Sequence, residues 1–207
     1  MKTKFLRSSG VRVTLNRRNL NKDIFVGGQR TISRKLRPII QERIENAQEK
    51  MVDEFEDHPV TKEILAGENS ANSSGLLGGY GNLFSFIGFN QGENQIDPLL
   101  EVFKRKVPFI VRAVNANGKY IIEIKAPAKS ELESIAQVNW MGGRSWLDGI
   151  ERGIAGLNRY LYDPNYIDNS RSGTGKQVEN KIRSVNQSRT PYVSRIISDF
   201  KKRLNRL

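Results

Sequence analysis

The stretch Val107-Pro108-Phe109-Ile110-Val111-Arg112-Ala113-Val114, followed by Asn115-Ala116-Asn117-Gly118 and then Lys119-Tyr120-Ile121-Ile122-Glu123-Ile124-Lys125, decides the fold. Two runs rich in β-branched and aromatic residues, separated by an Asn/Gly turn, predict an antiparallel hairpin. A third run, Ile135 to Trp140, alternates Ala136, Val138 and Trp140 against Gln137 and Asn139 and is expected to extend the sheet. Val11, Val13 and Leu15 around Arg12 and Thr14 supply a possible fourth strand. A sheet this small has one face to cover.

The cover is expected upstream. From about Arg30 to Asp57, Ile32, Leu36, Ile39, Ile40, Ile44, Ala47, Met51, Val52 and Phe55 recur at intervals of three and four, which predicts a long amphipathic helix. Pro38 lies inside it, so either the helix starts near Arg37 or an earlier turn is kinked. Downstream, Ser145-Trp146-Leu147-Asp148 has the form of a capping box and predicts a helix through Leu161, interrupted by Gly149, Gly153 and Gly156. Asp163 to Arg189 is polar. Thr190 and Pro191 then provide a cap and a first-turn proline for a last helix with Val193, Ile196, Ile197, Phe200, Leu204 and Leu207 on one face.

The fold class is therefore α+β: a small, mostly antiparallel sheet packed by the N-terminal helix and by C-terminal helices. Residues 1–29 form a basic arm, 30–162 the core, 163–190 a polar loop and 191–207 a basic helix. Within the core, residues 67–92 carry seven glycines and are expected to form a long projecting loop. That loop contains Leu83, Phe84, Phe86, Ile87 and Phe89. Three roles are open for it: a flap folded over the core, an arm docking on a neighbouring subunit, or a membrane-inserting segment.

Charge is distributed in blocks. Residues 1–37 hold eleven Lys or Arg and one acid, residues 38–103 three and twelve, and residues 104–207 twenty and nine, giving +10, −9 and +11. Such patterning suits nucleic acid, an acidic protein or a second copy of the chain. The long helix runs against its own dipole. Arg30, Arg34, Lys35 and Arg37 lie near its start and Asp53, Glu54, Glu56 and Asp57 near its end, each placement costing up to about 1 kcal/mol if uncompensated. The ends are either a solvated face or contacts with oppositely charged partners.

Catalytic signatures fail one by one. There is no Cys and a single His among 207 residues, so thiolate and multi-His metal sites are excluded. Ser172-Gly173-Thr174-Gly175-Lys176-Gln177 lacks the first Gly and the final hydroxyl of a phosphate loop. His58 is expected as a surface or capping residue. The acid pairs Glu54 with Asp57 and Asp148 with Glu151 have the spacing of ordinary helix decoration. The expectation is a non-enzyme with no cofactor and no metal, and no apolar run approaches the roughly 18 residues of a membrane span. Phosphate contacts need the charge found at both ends of the chain, and Lys201, Lys202, Arg203 and Arg206 are the candidate DNA-facing residues.

In layout the chain resembles the head-tail connector or tail-completion proteins of tailed bacteriophages. The resemblance rests on His58-Pro59-Val60-Thr61 leading into Gly79-Tyr80-Gly81-Asn82-Leu83-Phe84-Ser85-Phe86-Ile87-Gly88-Phe89. Gly142-Gly143-Arg144-Ser145-Trp146 through Tyr160-Leu161-Tyr162, and Ser170-Arg171-Ser172-Gly173-Thr174-Gly175, add to it. It implies a non-enzymatic subunit of a homo-oligomeric ring in the virion neck, assembled in the host cytoplasm. Neighbouring portal, connector or tail proteins would be its partners, with DNA passing through the centre. Leu83, Phe84, Phe86, Ile87 and Phe89, with the charged sets Arg30, Arg34, Lys35, Arg37 and Glu54, Glu56, Asp57, would then be subunit-interface residues. The alternative is a sequence-independent nucleic-acid-binding protein.

Overall fold

A computed structural model describes residues 10–15, 28–77, 82–113, 120–139, 142–152 and 190–205. The fold is α+β. In chain order the elements are β1 (Gly10–Leu15), α1 (Gly28–Glu56), α2 (Pro59–Leu65), a 3-10 turn (Gly67–Asn69), α3 (Leu83–Ile87), α4 (Asp97–Lys104), β2 (Phe109–Ala113), β3 (Tyr120–Lys125), α5 (Lys129–Ile135), β4 (Gln137–Val138), β5 (Arg144–Ser145), α6 (Trp146–Glu151) and α7 (Val193–Asn205). They divide into two compact units. The first comprises Met1–Met51, Phe103–Ala128 and Ile197–Leu207, the second Val52–Val102 and Lys129–Ile196.

The first unit holds a three-stranded antiparallel sheet in the order β1-β3-β2. β2 and β3 are the expected hairpin, with Phe109 opposite Ile124 and Val111 opposite Ile122, and its turn, Asn115 to Gly118, lies outside the described residues. β1 closes the other side, Val11 opposite Ile124 and Val13 opposite Ile122. Ile122 and Ile124 are buried while Lys125 is exposed, the alternation of a one-sided sheet. Leu36, Ile40, Ile44, Ala47 and Met51 of α1 join that core, as do Ile197, Phe200 and Leu204 of α7.

α1 runs through Pro38 without interruption, so the proline sits inside the helix and its first turns are helical as well. Ile39 is half exposed and points off the buried stripe. The Gln48 side chain ties α1 to the segment entering β2. Its amide nitrogen donates to the carbonyls of Phe103 (2.7 Å) and Arg105 (2.8 Å), at the C-terminal end of α4, where a helix leaves its last carbonyls in need of donors.

Two expectations are corrected. The run that starts at Ile135 does not extend the sheet: Ile135 ends α5, and of its described residues Gln137–Val138 are strand, paired with Arg144–Ser145 in a separate two-stranded sheet of the second unit, while Trp140 lies outside the described residues. The alternation was real, but Leu132 and Ala136 are spaced at four and buried on one helix-derived face, and packing of that face decides the conformation. The apolar segment at 83–89 does not project. It forms α3 and is buried in the core of the second unit.

That core also includes Phe55, Val60, Ile64, Leu77, Ile96, Leu99, Val102, Trp146, Leu147, Ile150 and Tyr192. α6 starts at the expected Ser145, although its hydroxyl makes no cap bond, and it is described as far as Glu151; the proposed continuation through Leu161 lies outside the described residues. α7 starts two residues after Pro191. Its cap comes from elsewhere: the Glu151 carboxylate accepts the Ser194 N–H at 2.7 Å and is paired with the Lys129 ammonium at 2.7 Å. Burial works against that ammonium, but Glu151 and Glu133 hold its pKa above the ordinary lysine value.

Tyr192 is fully buried, stacked on Phe55 and hydrogen-bonded through its hydroxyl to Thr61 Oγ1 at 2.6 Å, and burial pushes its phenol pKa up. Tyr192→Phe leaves the Thr61 hydroxyl buried without its partner. The expected loss is about 1–3 kcal/mol in chemical denaturation, with the double change Tyr192→Phe/Thr61→Val recovering part of it; no recovery would show that the two hydroxyls are not coupled.

Candidate interaction surfaces

Asn82 and Gly88 explain why an apolar run in a glycine-rich stretch becomes a helix. The Asn82 side-chain oxygen accepts the Ser85 N–H at 2.9 Å, an N-cap, while its amide nitrogen donates to the carbonyls of Glu68 and Ser70. At the other end Gly88 takes φ +83°, and its N–H returns to the carbonyls of Phe84 and Ser85. Between these caps all five residues of α3 are buried.

Glu63 of α2 holds this arrangement in place. Its carboxylate is fully buried and accepts two backbone N–H groups, from Ser74 at 2.7 Å and from Leu83 at 2.7 Å. A buried carboxylate is tolerated only when its oxygens are paired in this way. Here it holds Ser74 against α2 and sets a carboxylate at the N-terminus of α3. Phe84 then meets Phe89 edge-on (centroids 5.4 Å), and Phe89 meets Trp146 edge-on (5.7 Å).

Leu83, Phe84, Phe86, Ile87 and Phe89 are thus corrected as interface residues. Their apolar surface is already spent inside one chain, and exposing it to a neighbour would require unfolding the second unit's core. Of the three roles open to this segment, packing over the core is the one realised. Gly79, Tyr80 and Gly81 lie outside the described residues. The signal that reveals it in the sequence is the pairing of a capping Asn82 with Gly88 six residues later.

The charged candidates are on the surface. Arg34, Lys35 and Arg37 are exposed on α1, and Arg37 lays its guanidinium over the Phe109 ring at 5.9 Å. Arg30 falls within α1 but outside the described side chains. At the other end Glu54 and Glu56 are half-buried and Asp57 is exposed, paired with Lys62 at 2.8 Å. α1 has no acid in its first turn and no base in its last, so the dipole mismatch is real and only locally offset. In α7 Lys202 is exposed and bonded to Asp199 at 2.8 Å, Lys201 and Arg203 are half-buried, and Arg206 lies outside the described residues.

Tertiary structure sorts charge in a way that chain blocks do not. The first unit carries 23 Lys or Arg against six Asp or Glu, net +17; the second carries eleven against sixteen, net −5. One unit is thus a cation and the other a weak anion. Among the described residues no group of three or more acidic or His side chains is placed to hold a metal ion, and no described helix is long and apolar enough to cross a membrane. The Ser170 to Gln177 stretch lies outside the described residues. No protein-family model, curated protein or solved structure matches the chain.

His58 caps α2: its Nδ1 accepts the Val60 N–H at 3.3 Å, and its ring packs on Tyr192 with centroids 4.5 Å apart. Burial and then the Arg195 charge lower its pKa below 6.5. A proton would both remove the cap acceptor and face Arg195. Because the folded pKa is the lower one, the unfolded chain takes up the proton first, and stability falls as pH drops through 6.5 toward the folded value.

Two measurements follow from this geometry. Phe84→Ala should cost about 3–5 kcal/mol of stability in the isolated chain; an unchanged urea midpoint would return the segment to the role of an arm. His58 is the sole histidine, so moving from about pH 7.5 to about 6, above the carboxylate range, should lower the urea midpoint of the native chain. That pH response should vanish in His58→Asn, which caps without titrating.

Proposed function

We propose that the chain is a structural, non-enzymatic subunit of a tailed-bacteriophage virion that closes a ring in the neck, between capsid portal and tail. The observation that carries this reading is the separation of charge between the two units, +17 on one and −5 on the other. A chain with a cationic and an anionic unit favours contacts of unlike surfaces on successive copies. Such heterologous contacts close into a ring when the rotation permits, and charge complementarity speeds and orients the encounter. The layout resemblance to connector and tail-completion proteins supplies the biological setting: a homo-oligomer that meets portal, connector or tail proteins and is assembled in the host cytoplasm.

The exposed carboxylates of the second unit include Asp53, Asp97 and Glu101, the last two one turn apart on α4. They are available to a neighbour's cationic unit, whereas Glu63 and Glu151 are consumed internally.

Light scattering with negative-stain imaging tests the reading. At about 50 mM salt, where the Debye length exceeds 10 Å, a discrete oligomer with annular particles is expected. Its mass should fall toward the monomer as salt rises, and Asp97→Lys/Glu101→Lys should weaken it. A monomer at every salt concentration overturns the self-assembling ring.

A further inference from the structure

The cationic surplus has a consequence that ring closure does not meet. If every anionic unit were matched by a neighbour's cationic unit, each subunit would still carry the chain's net +12, and a ring would multiply that repulsion. A polyanion of another kind is needed to balance it.

The best-built receiver is the segment between α4 and β2. Lys104, Arg105 and Lys106 are consecutive and exposed. Gln48 fixes their backbone through the carbonyls of Phe103 and Arg105. The next residues are pinned as well: Val107 is buried, and the Pro108 carbonyl accepts the Lys125 N–H at 2.9 Å, which sets the exposed Lys125 beside the strap. At its far end Arg37 lies over Phe109. All of these residues belong to the first unit. Neither Lys106 nor Lys125 is paired with a carboxylate among the described residues, in contrast to Lys202 with Asp199.

We infer that residues 104–109, with Arg37 and Lys125, form a rigid cationic strap that binds the phosphate backbone of duplex nucleic acid without reading its sequence. Cations held on a fixed backbone lose less freedom on binding than cations on a loose arm. Phosphate contacts of this kind position a duplex but carry no sequence information. The strap suits a duplex better than a single strand, because its one aromatic ring, Phe109, is half-buried and covered by Arg37 and offers no stacking platform for bases. The inference does not depend on the ring, since a monomer presents the same strap.

The test is fluorescence anisotropy of the full chain with a labelled random 30-base-pair duplex, over about 50 to 200 mM salt. Wild type should bind and weaken steeply with salt. Lys104→Ala/Arg105→Ala/Lys106→Ala/Lys125→Ala should flatten the slope of log K against log salt by about 3–4, roughly one unit for each phosphate that the variant no longer neutralises. Lys201→Ala/Lys202→Ala should leave the slope as it was. An unchanged slope in the fourfold variant, or an effect confined to the α7 pair, overturns the strap. So does a fourfold variant that binds the duplex normally while light scattering shows its oligomer dissociated, which would assign the strap to a second copy. Should the fourfold variant fail to fold, lysine acetylation of the wild-type chain decides: the duplex should protect Lys104, Lys106 and Lys125, and equal labelling with and without duplex overturns the inference.

Discussion

The buried carboxylate of Glu63 is the group around which the second unit is organised. An anion removed from water must find donors of comparable strength, and here two main-chain N–H groups, of Ser74 and Leu83, supply them. Meeting that requirement brings Ser74 back onto α2 and sets the start of α3 at Leu83. Once α3 begins there, Asn82 and Gly88 close its ends, and its aromatic residues have a single place to go. Phe84, Phe89 and Trp146 then build a contiguous edge-to-face cluster. Glu151 repeats the device for α7, with Lys129 compensating its second oxygen.

The first unit rests on a different constraint, the need of a one-sided sheet for a cover. Ile122 and Ile124 of β3 are buried, and the periodic stripe of α1 supplies buried apolar residues to the same unit. The charge that this unit carries is mostly cationic, although Glu42, Glu45 and Glu49 are exposed on α1. Sequence blocks near +10, −9 and +11 become units of +17 and −5, because the acidic middle of the chain divides at Met51 and the basic 103–128 stretch joins the N-terminal block. The proposed function rests on this regrouping, which gives one chain a strongly cationic unit and a weakly anionic one.

Periodicity made much of this fold legible. The α1 stripe, the 107–125 hairpin, the Val11 to Leu15 strand and the apolar face of α7 all appear where residue spacing puts them. Short elements did not show in the same way. The alternating run that starts at Ile135 overlaps the end of α5 and all of β4, and a seven-residue helix has too few turns for its period to outweigh a strand pattern. α2 and α4 carry Pro at or just after their first residue, Pro59 and Pro98, a start signal that was present but easily lost between longer elements. Among the candidate site residues, Arg34, Lys35, Arg37 and Asp57 are exposed as their types require, and Glu54 and Glu56 are half-buried. The apolar set at 83–89 is inside.

The sequence by itself determined the fold class, the long helix, the hairpin and the exclusion of thiolate and multi-His chemistry, because these depend on composition and on period along the chain. Tertiary structure alone decided where Phe84 and its neighbours go. A greasy segment among glycines is equally suited to an arm or a core, and the choice rests on Glu63, twenty residues away, offering its carboxylate to the Leu83 N–H. Likewise the cations at 104–106 read as one more basic run until Gln48, from a distant turn of α1, fixes their carbonyls. Such contacts join residues far apart in sequence, where no local pattern records them.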